Sequence, residues 1–204
     1  MKLLYIMDPM CSWCWAFAPV LKQIRQHYPD IPVVNIMGGL AADSDEPMPE
    51  SQQQMIQSIW RSIESRTGVP FNHDFWQQCQ PKRSTYPACR AVLCAEQLAP
   101  GHGEKMISAI QHAYYLNAKN PSNINRLCEL AVEIGLNREQ FKALLESELM
   151  EQQLQQELSF VRELGVQGFP SLYLVSDNDM ITLSQGYCSW EELKGRLELK
   201  IMRG

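Results

Sequence analysis

The sequence predicts a mixed α/β fold in which a four-stranded sheet, covered by helices, is interrupted by a large all-helical insertion. Three observations carry this. The first forty residues read as strand, helix and strand. Residues 50–164 hold only helical periodicity. Strand signals return after Gly165 as a hairpin followed by a helix.

Lys2-Leu3-Leu4-Tyr5-Ile6-Met7 is a short apolar run suited to a buried strand. Trp15, Val20, Leu21 and Ile24 then fall at helical spacing and predict a helix over about 12–27, with Pro19 as a kink inside it. Pro32 to Met37 reads as a second buried strand, closed by Gly38-Gly39. Strand, helix and strand in so short a stretch make a right-handed βαβ unit with parallel strands.

Polar, proline-containing residues 43–49 lead into the insertion. Met55, Ile56, Ile59, Trp60 and Ile63 mark a helix that breaks at Thr67-Gly68-Val69-Pro70, and Trp76 lies in a short segment of no clear period. A helix starts near Pro87, a residue favoured in the first turn, and runs to Pro100-Gly101. Met106 to Tyr114 mark the next. Ser122 is placed to cap the helix carrying Ile124, Leu127, Cys128 and Ala131, and Asn137 the helix carrying Phe141 and Leu144. Leu154, Leu158, Val161 and Leu164 complete the block. Leu172–Val175 and Met180–Leu183 then flank the turn Ser176-Asp177-Asn178-Asp179 as an antiparallel hairpin, and Ser189 with Glu192 has capping-box spacing for a last helix. The predicted division is a discontinuous sheet domain, 1–40 and 165–204, and a helical insertion, 41–164, with a helix over 150–164 bridging the two.

Hydrophobic residues at 45% and charged residues at 20% of 204 are ordinary globular values, and the chain is long enough to bury a substantial core. A net charge of −5 argues against nucleic acid or an anionic membrane as the main partner. No apolar run approaches the roughly 18–20 residues of a spanning helix. The first run stops at Asp8-Pro9 without a small-residue cleavage site, which makes it a strand and not a signal peptide. The seven cysteines, at 11, 14, 79, 89, 94, 128 and 188, are odd in number and mostly scattered. Without a secretory signal they read as largely reduced thiols in a cytoplasmic chain.

Met10-Cys11-Ser12-Trp13-Cys14-Trp15 stands where the first strand ends and the first helix begins. An exposed Cys11 in the first turn would have its thiolate stabilised by unpaired backbone N–H groups and the helix dipole. Cys14, one turn deeper, can attack a mixed disulfide on Cys11 and release the substrate. A zinc site would need two further ligands. Cys89 and Cys94 point to different faces of one helix, and His27, His73, His102 and His112 show no ligand spacing, so no metal is predicted. The other cysteines read as buried small apolar residues, with Cys188 the one to watch as a regulatory thiol. Trp60, Trp76, Trp190, Met10, Met37 and Met48 read as core. Trp13, between the thiols, reads as a partly exposed apolar rim for protein substrates. Asp8 has two readings: buried, it would raise neighbouring thiol pKa values or take a proton from Cys14; exposed, it would do little.

Asp8-Pro9-Met10-Cys11-Ser12-Trp13-Cys14-Trp15 resembles the active-site entry of cytoplasmic protein-disulfide isomerases predicted within the DsbA-like branch of the thioredoxin superfamily. Gly165-Val166-Gln167-Gly168-Phe169-Pro170-Ser171-Leu172 resembles that superfamily's cis-proline segment, and the element order is similar over essentially the whole chain. The resemblance implies a thiol–disulfide oxidoreductase or isomerase in which Cys11 attacks, Cys14 resolves, and Ser12, Trp13, Phe169 and Pro170 bind substrate. It implies that Pro170 is cis and beside the dithiol, where the backbone of Phe169 can pair with an extended substrate. Ser12-Trp13 departs from the histidine-containing dipeptide of periplasmic oxidants and from the Gly-Pro of thioredoxins, and Phe169 stands where many relatives carry a small or β-branched residue. The partners implied are protein or peptide thiols and disulfides, with glutathione a candidate reductant and no cofactor beyond the redox-active disulfide. Two other readings stay open: a glutathione-dependent transferase or isomerase of the kappa type, which typically carries serine at the Cys11 position, and a non-catalytic thioredoxin-like binding module.

Overall fold

A computed structural model describes residues 1–177 and 179–201. β1 (Lys2–Met7), α1 (Ser12–His27) and β2 (Val33–Met37) form the βαβ unit, with β1 and β2 parallel. Helices α2 (Glu50–Thr67), α3 (Phe75–Gln78), α4 (Tyr86–Leu98), α5 (His102–Tyr115), α6 (Ile124–Glu133), α7 (Arg138–Leu145) and α8 (Glu148–Glu163) follow. β3 (Ser171–Val175), β4 (Met180–Gln185) and α9 (Trp190–Ile201) complete the sheet and cover it. The strand order is β2-β1-β3-β4, and β3 runs antiparallel to both neighbours. Strands from opposite ends of the chain are therefore joined, with Tyr5 opposite Leu172 and Ile6 opposite Ser171.

β1 is apolar throughout because both its faces are covered. Leu3, Tyr5 and Met7 belong to the main core, while Leu4 and Ile6 pack with Tyr173 and Val161 on the other side. β2, expected to be buried, is an edge strand whose Val34 is 36% exposed and whose only fully buried residue is Met37. An apolar run does not reveal whether a strand has one neighbour or two; pairing decides that. α1 continues through Pro19 as an unbroken helix. The cap of α6 is Asn123, which accepts from the Asn125 N–H, and not Ser122, whose buried hydroxyl donates to the Ser84 carbonyl at 2.8 Å. Ser189 and Glu192 form the reciprocal bonds of a capping box ahead of α9. Of the hairpin turn, Asn178 lies outside the described residues.

The helical block is built around Trp60, fully buried among Phe71, Phe75, Trp76, Tyr114 and Tyr115 at ring separations of 4.9 to 5.9 Å. Trp76 and Trp190, expected in the core, are half-buried. α8 turns Leu154 and Leu158 to the main core and Val161 to the far face of the sheet. A register shift in the hairpin pairs Leu172 with Ser184 and Tyr173 with Thr182, leaving Leu183 between them. The Leu183 carbonyl accepts from Arg196 of α9 at 2.8 Å.

Candidate active site

β1 ends at Met7, and the turn Asp8-Pro9-Met10 delivers Cys11 to the N-cap of α1. The Cys11 N–H donates to the Asp8 carbonyl, and the Cys11 carbonyl accepts from Trp15, both at 3.0 Å. Cys14 follows one turn on and is fully buried. Cys11, expected to be exposed, is only 7% accessible, and its thiol makes no capping bond to the helix. It is enclosed because the other end of the chain lies over it: Cys11 Sγ is 3.8 Å from the carbonyl oxygen of Phe169. The Phe169–Pro170 peptide is cis, and Pro170 is buried. Burial, and then the neighbouring Cys11, push the Cys14 thiol well above its ordinary range.

Phe169 also governs the end of β2. A Cβ on Gly38 would fall inside the van der Waals shell of two Phe169 ring carbons, so the ring lies flush on the glycine backbone. Gly38 is needed there for closeness, and Gly39, at φ +62°, for its left-handed turn.

Asp8 is buried, which selects the first of its two readings: its charge acts to raise both the Cys14 and the Cys89 thiols, and the thiol hydrogen-bonded to its carboxylate is Cys89. Asp8 Oδ1 accepts from the Met10 N–H at 2.7 Å; Oδ2 accepts from the Leu40 N–H at 2.7 Å, the Thr85 hydroxyl at 2.6 Å and the Cys89 thiol at 3.6 Å. Burial raises the Asp8 pKa despite these donors, and it raises the Cys89 thiol, with the Asp8 charge adding to it. Thr85 stands at the N-cap of α4 yet turns its hydroxyl to Asp8 instead of capping the helix. One carboxylate thus ties the turn before Cys11 to the turn after β2 and to the helical block.

The block holds the dithiol turn at two further points. The Tyr115 hydroxyl donates to the Met10 carbonyl at 2.7 Å, and Trp15 stacks on Tyr115 at 5.7 Å while its indole N–H donates to the Pro70 carbonyl. Outside, half-buried Trp13 lies 5.4 Å from the Tyr187 ring, and the exposed Arg66 guanidinium sits 5.5 Å from the first ring and 5.3 Å from the second. The rim beside the thiols is therefore aromatic and cationic. Ser12 is half-buried in the first turn of α1. Cys94, Cys128 and Cys188 are buried, as are Met10, Met37 and Met48. Among the described residues no three His, Cys, Asp or Glu side chains are placed to hold a metal ion, and no helix is long and apolar enough to cross a membrane. Thr85, Cys89, Tyr115, Gly38, Arg66 and Tyr187 carry no signal in the sequence that connects them to Cys11; each is brought there by packing.

The thioredoxin fold is the class in which the helix after a central strand opens on a dithiol and a proline segment from the far end of the chain closes over it. Here it takes the DsbA-like form, with helices inserted between β2 and β3. The family model of the DSBA-like thioredoxin domain matches residues 4–198, and the chain belongs to that family of thiol–disulfide oxidoreductases. Among solved structures it is similar to a candidate protein disulfide isomerase from Nitrosomonas europaea, at 32% identity and a TM-score of 0.87 over 100% of this chain and 99% of that one. It is similar also to the cytosolic disulfide reductase DsbM of Pseudomonas aeruginosa, at 25% identity and a TM-score of 0.80 over 100% of both chains. DsbM has been solved with glutathione as well. Among curated proteins it is similar to the ClpXP adapter protein SpxH of Bacillus subtilis, at 27% identity over 84% of this chain and 57% of that protein. The chain thus spans little more than half the length of the curated relatives it matches.

Proposed function

We propose that the protein is a cytoplasmic thiol–disulfide oxidoreductase that reduces disulfides of proteins or peptides through Cys11 and Cys14, with glutathione as its reductant. The observation that carries this is the placement of Cys11 Sγ 3.8 Å from the Phe169 carbonyl, with Cys14 one turn behind it. A substrate segment paired with the Phe169 backbone would lay its own sulfur against Cys11. The Cys11 thiolate attacks one substrate sulfur, and the other leaves with the electron pair. Cys14, held protonated by burial, then loses its proton and attacks Cys11 Sγ, which closes the Cys11–Cys14 disulfide and frees the second substrate thiol. Two glutathione molecules return the pair to the dithiol and leave as glutathione disulfide. Ser12, Trp13, Phe169 and Pro170 line the substrate's path, and the likeness to a cytosolic reductase supports the direction and the compartment. A cysteine at position 11, where the kappa-type enzymes typically carry serine, weighs against the transferase reading.

The SpxH likeness favours a second reading, an adapter whose Trp13, Tyr187 and Arg66 rim grips a partner protein. One experiment separates the two. Under the first reading Cys14→Ser accumulates mixed disulfides through Cys11, and Cys11→Ser loses glutathione-coupled reduction of a peptide disulfide. Undiminished reduction by Cys11→Ser would remove the dithiol mechanism; partner capture that survives loss of both thiols would establish the adapter.

A further inference from the structure

Tyr5, mid-way along the central strand, has Asn35 of β2 as its register partner, so the two side chains leave the sheet on one face. α1 and α5 cover that face and turn toward it residues at helical spacing, Leu21 and Arg25 from the first, Glu104, Ile107 and Gln111 from the second. Together they enclose a cavity of about 210 Å³, and neither Cys11 nor Cys14 lines it. Arg25 and Glu104, both exposed and paired at 2.5 Å, stand at its mouth. Tyr5, 1% exposed, stands at its floor, and its hydroxyl, the end of the side chain farthest from the strand, has no hydrogen-bond partner among the described residues. The buried hydroxyl of Tyr115, by contrast, is committed to the Met10 carbonyl. A buried hydroxyl without a partner leaves its desolvation uncompensated, and phenylalanine would fill the same space without that cost. Buried Gln111 and half-buried Asn35 bring two carboxamides to the same cavity, while Trp15, Leu21 and Ile107 give it apolar walls.

We propose that this cavity binds a free α-amino acid whose side chain ends in an amide, glutamine above all. Its volume lies below the roughly 300 Å³ at which sites for drug-sized ligands begin, a size suited to a single amino acid. Arg25 takes the α-carboxylate and Glu104 the α-ammonium, in charge-assisted bonds that replace their bond to each other. An exposed ion pair adds little to stability, so the exchange forfeits little. The aliphatic part of the ligand lies against Trp15, Leu21 and Ile107. The terminal amide, donor and acceptor at once, meets the Tyr5 hydroxyl and the Gln111 carboxamide. A ligand with one charge would leave a member of the mouth pair unmatched, and an apolar side chain would leave the Tyr5 hydroxyl as it is. The site is separate from the dithiol, and the inference holds whichever reading of the dithiol is right.

The test is isothermal titration calorimetry of the full chain with L-glutamine, with L-norleucine, which keeps the head group and lacks the amide, and with N-acetyl-L-glutamine, which lacks the ammonium. L-Glutamine binds one to one, and both analogues bind about tenfold more weakly or less. Tyr5→Phe weakens glutamine by about two- to tenfold, leaves norleucine unchanged and melts no lower than the parent. Arg25→Ala, at an exposed position, weakens glutamine and norleucine alike, and Cys11→Ser binds as the parent does. No binding of L-glutamine at millimolar concentration overturns the inference, the cavity then holding solvent alone. Equal affinity for glutamine and norleucine overturns it, as does an affinity untouched by Tyr5→Phe. A Tyr5→Phe protein that melts lower or fails to fold also overturns it, because the hydroxyl then has a structural partner. Unchanged affinity in Arg25→Ala, or loss of binding in Cys11→Ser, would set the amino acid elsewhere, the second at the dithiol itself.

Discussion

The carbonyl oxygen of Phe169 lies 3.8 Å from the sulfur of Cys11, across 158 residues of sequence. That approach depends on the pairing of β1 with β3, which sets Ile6 opposite Ser171 and so carries Phe169 and Pro170 past the end of β1 to the thiols. Whatever shifts Phe169 shifts the reacting centre.

Gly38 is the nearest handle on that residue. Gly38→Ala drives a methyl into the Phe169 ring, a contact that only movement of the ring or its backbone relieves. The expected cost is about 1–3 kcal/mol of stability with a clear loss of disulfide reduction. Phe169→Leu in the same protein recovers part of both. Equal activity of Gly38→Ala and the parent would show that the ring does not set the Cys11 geometry.

Asp8→Asn leaves one oxygen where two had been used, so the Met10 N–H or the Leu40 N–H loses its acceptor in the interior. About 1–3 kcal/mol should be lost at neutral pH in urea unfolding, with Thr85→Val losing a similar amount because it removes a donor from the same carboxylate. The two losses should add poorly, since both break one network. Strict additivity in the double variant would mean that Asp8 and Thr85 act apart.

Glu157 reports on pH. Burial raises its pKa from the ordinary 4.5 to about 7, opposed by the bond its carboxylate accepts from the Met37 N–H. Between those two values the folded protein holds a proton that the unfolded chain has released. The contribution of Glu157 to stability is therefore full below about pH 4.5 and falls as the pH rises toward 7, by on the order of 2 kcal/mol, discounted for the exposed part of the group. Glu157→Gln keeps an acceptor for Met37 and removes this slope, so the variant should gain on the parent as the pH rises through that window. Parallel melting curves across pH 4.5 to 7 would contradict the burial of the charge.

Arg66→Ala removes the cation beside Trp13 and Tyr187. Stability should change by less than about 1 kcal/mol, as for an exposed cation–π contact. If substrate crosses this rim, KM for a peptide disulfide with acidic flanks rises several-fold while kcat holds. An unaltered KM would place the substrate elsewhere.

Much of the fold is legible in local sequence. The apolar run of β1, the two thiols at the start of α1, the succession of helical segments over residues 50–164 and the Ser189–Glu192 capping box each depend on neighbours within a turn or two. Such patterns follow from backbone geometry and the burial of one face, which act over short separations. The dithiol was legible for that reason, its two sulfurs lying on consecutive turns of one helix.

Tertiary structure alone decided the rest. Lys2–Met7 and Val33–Met37 are both apolar, yet one became a central strand and the other an edge, because β3 pairs with only one of them. Thr85 has the residue type of a helix cap, but the buried carboxylate of Asp8 was the more demanding acceptor and took its hydroxyl. Cys11 reads as exposed from its place in the first turn, and it is Phe169, from the far end of the chain, that covers it. Periodicity tells which side of a residue faces inward, and packing between distant segments determines what it meets there.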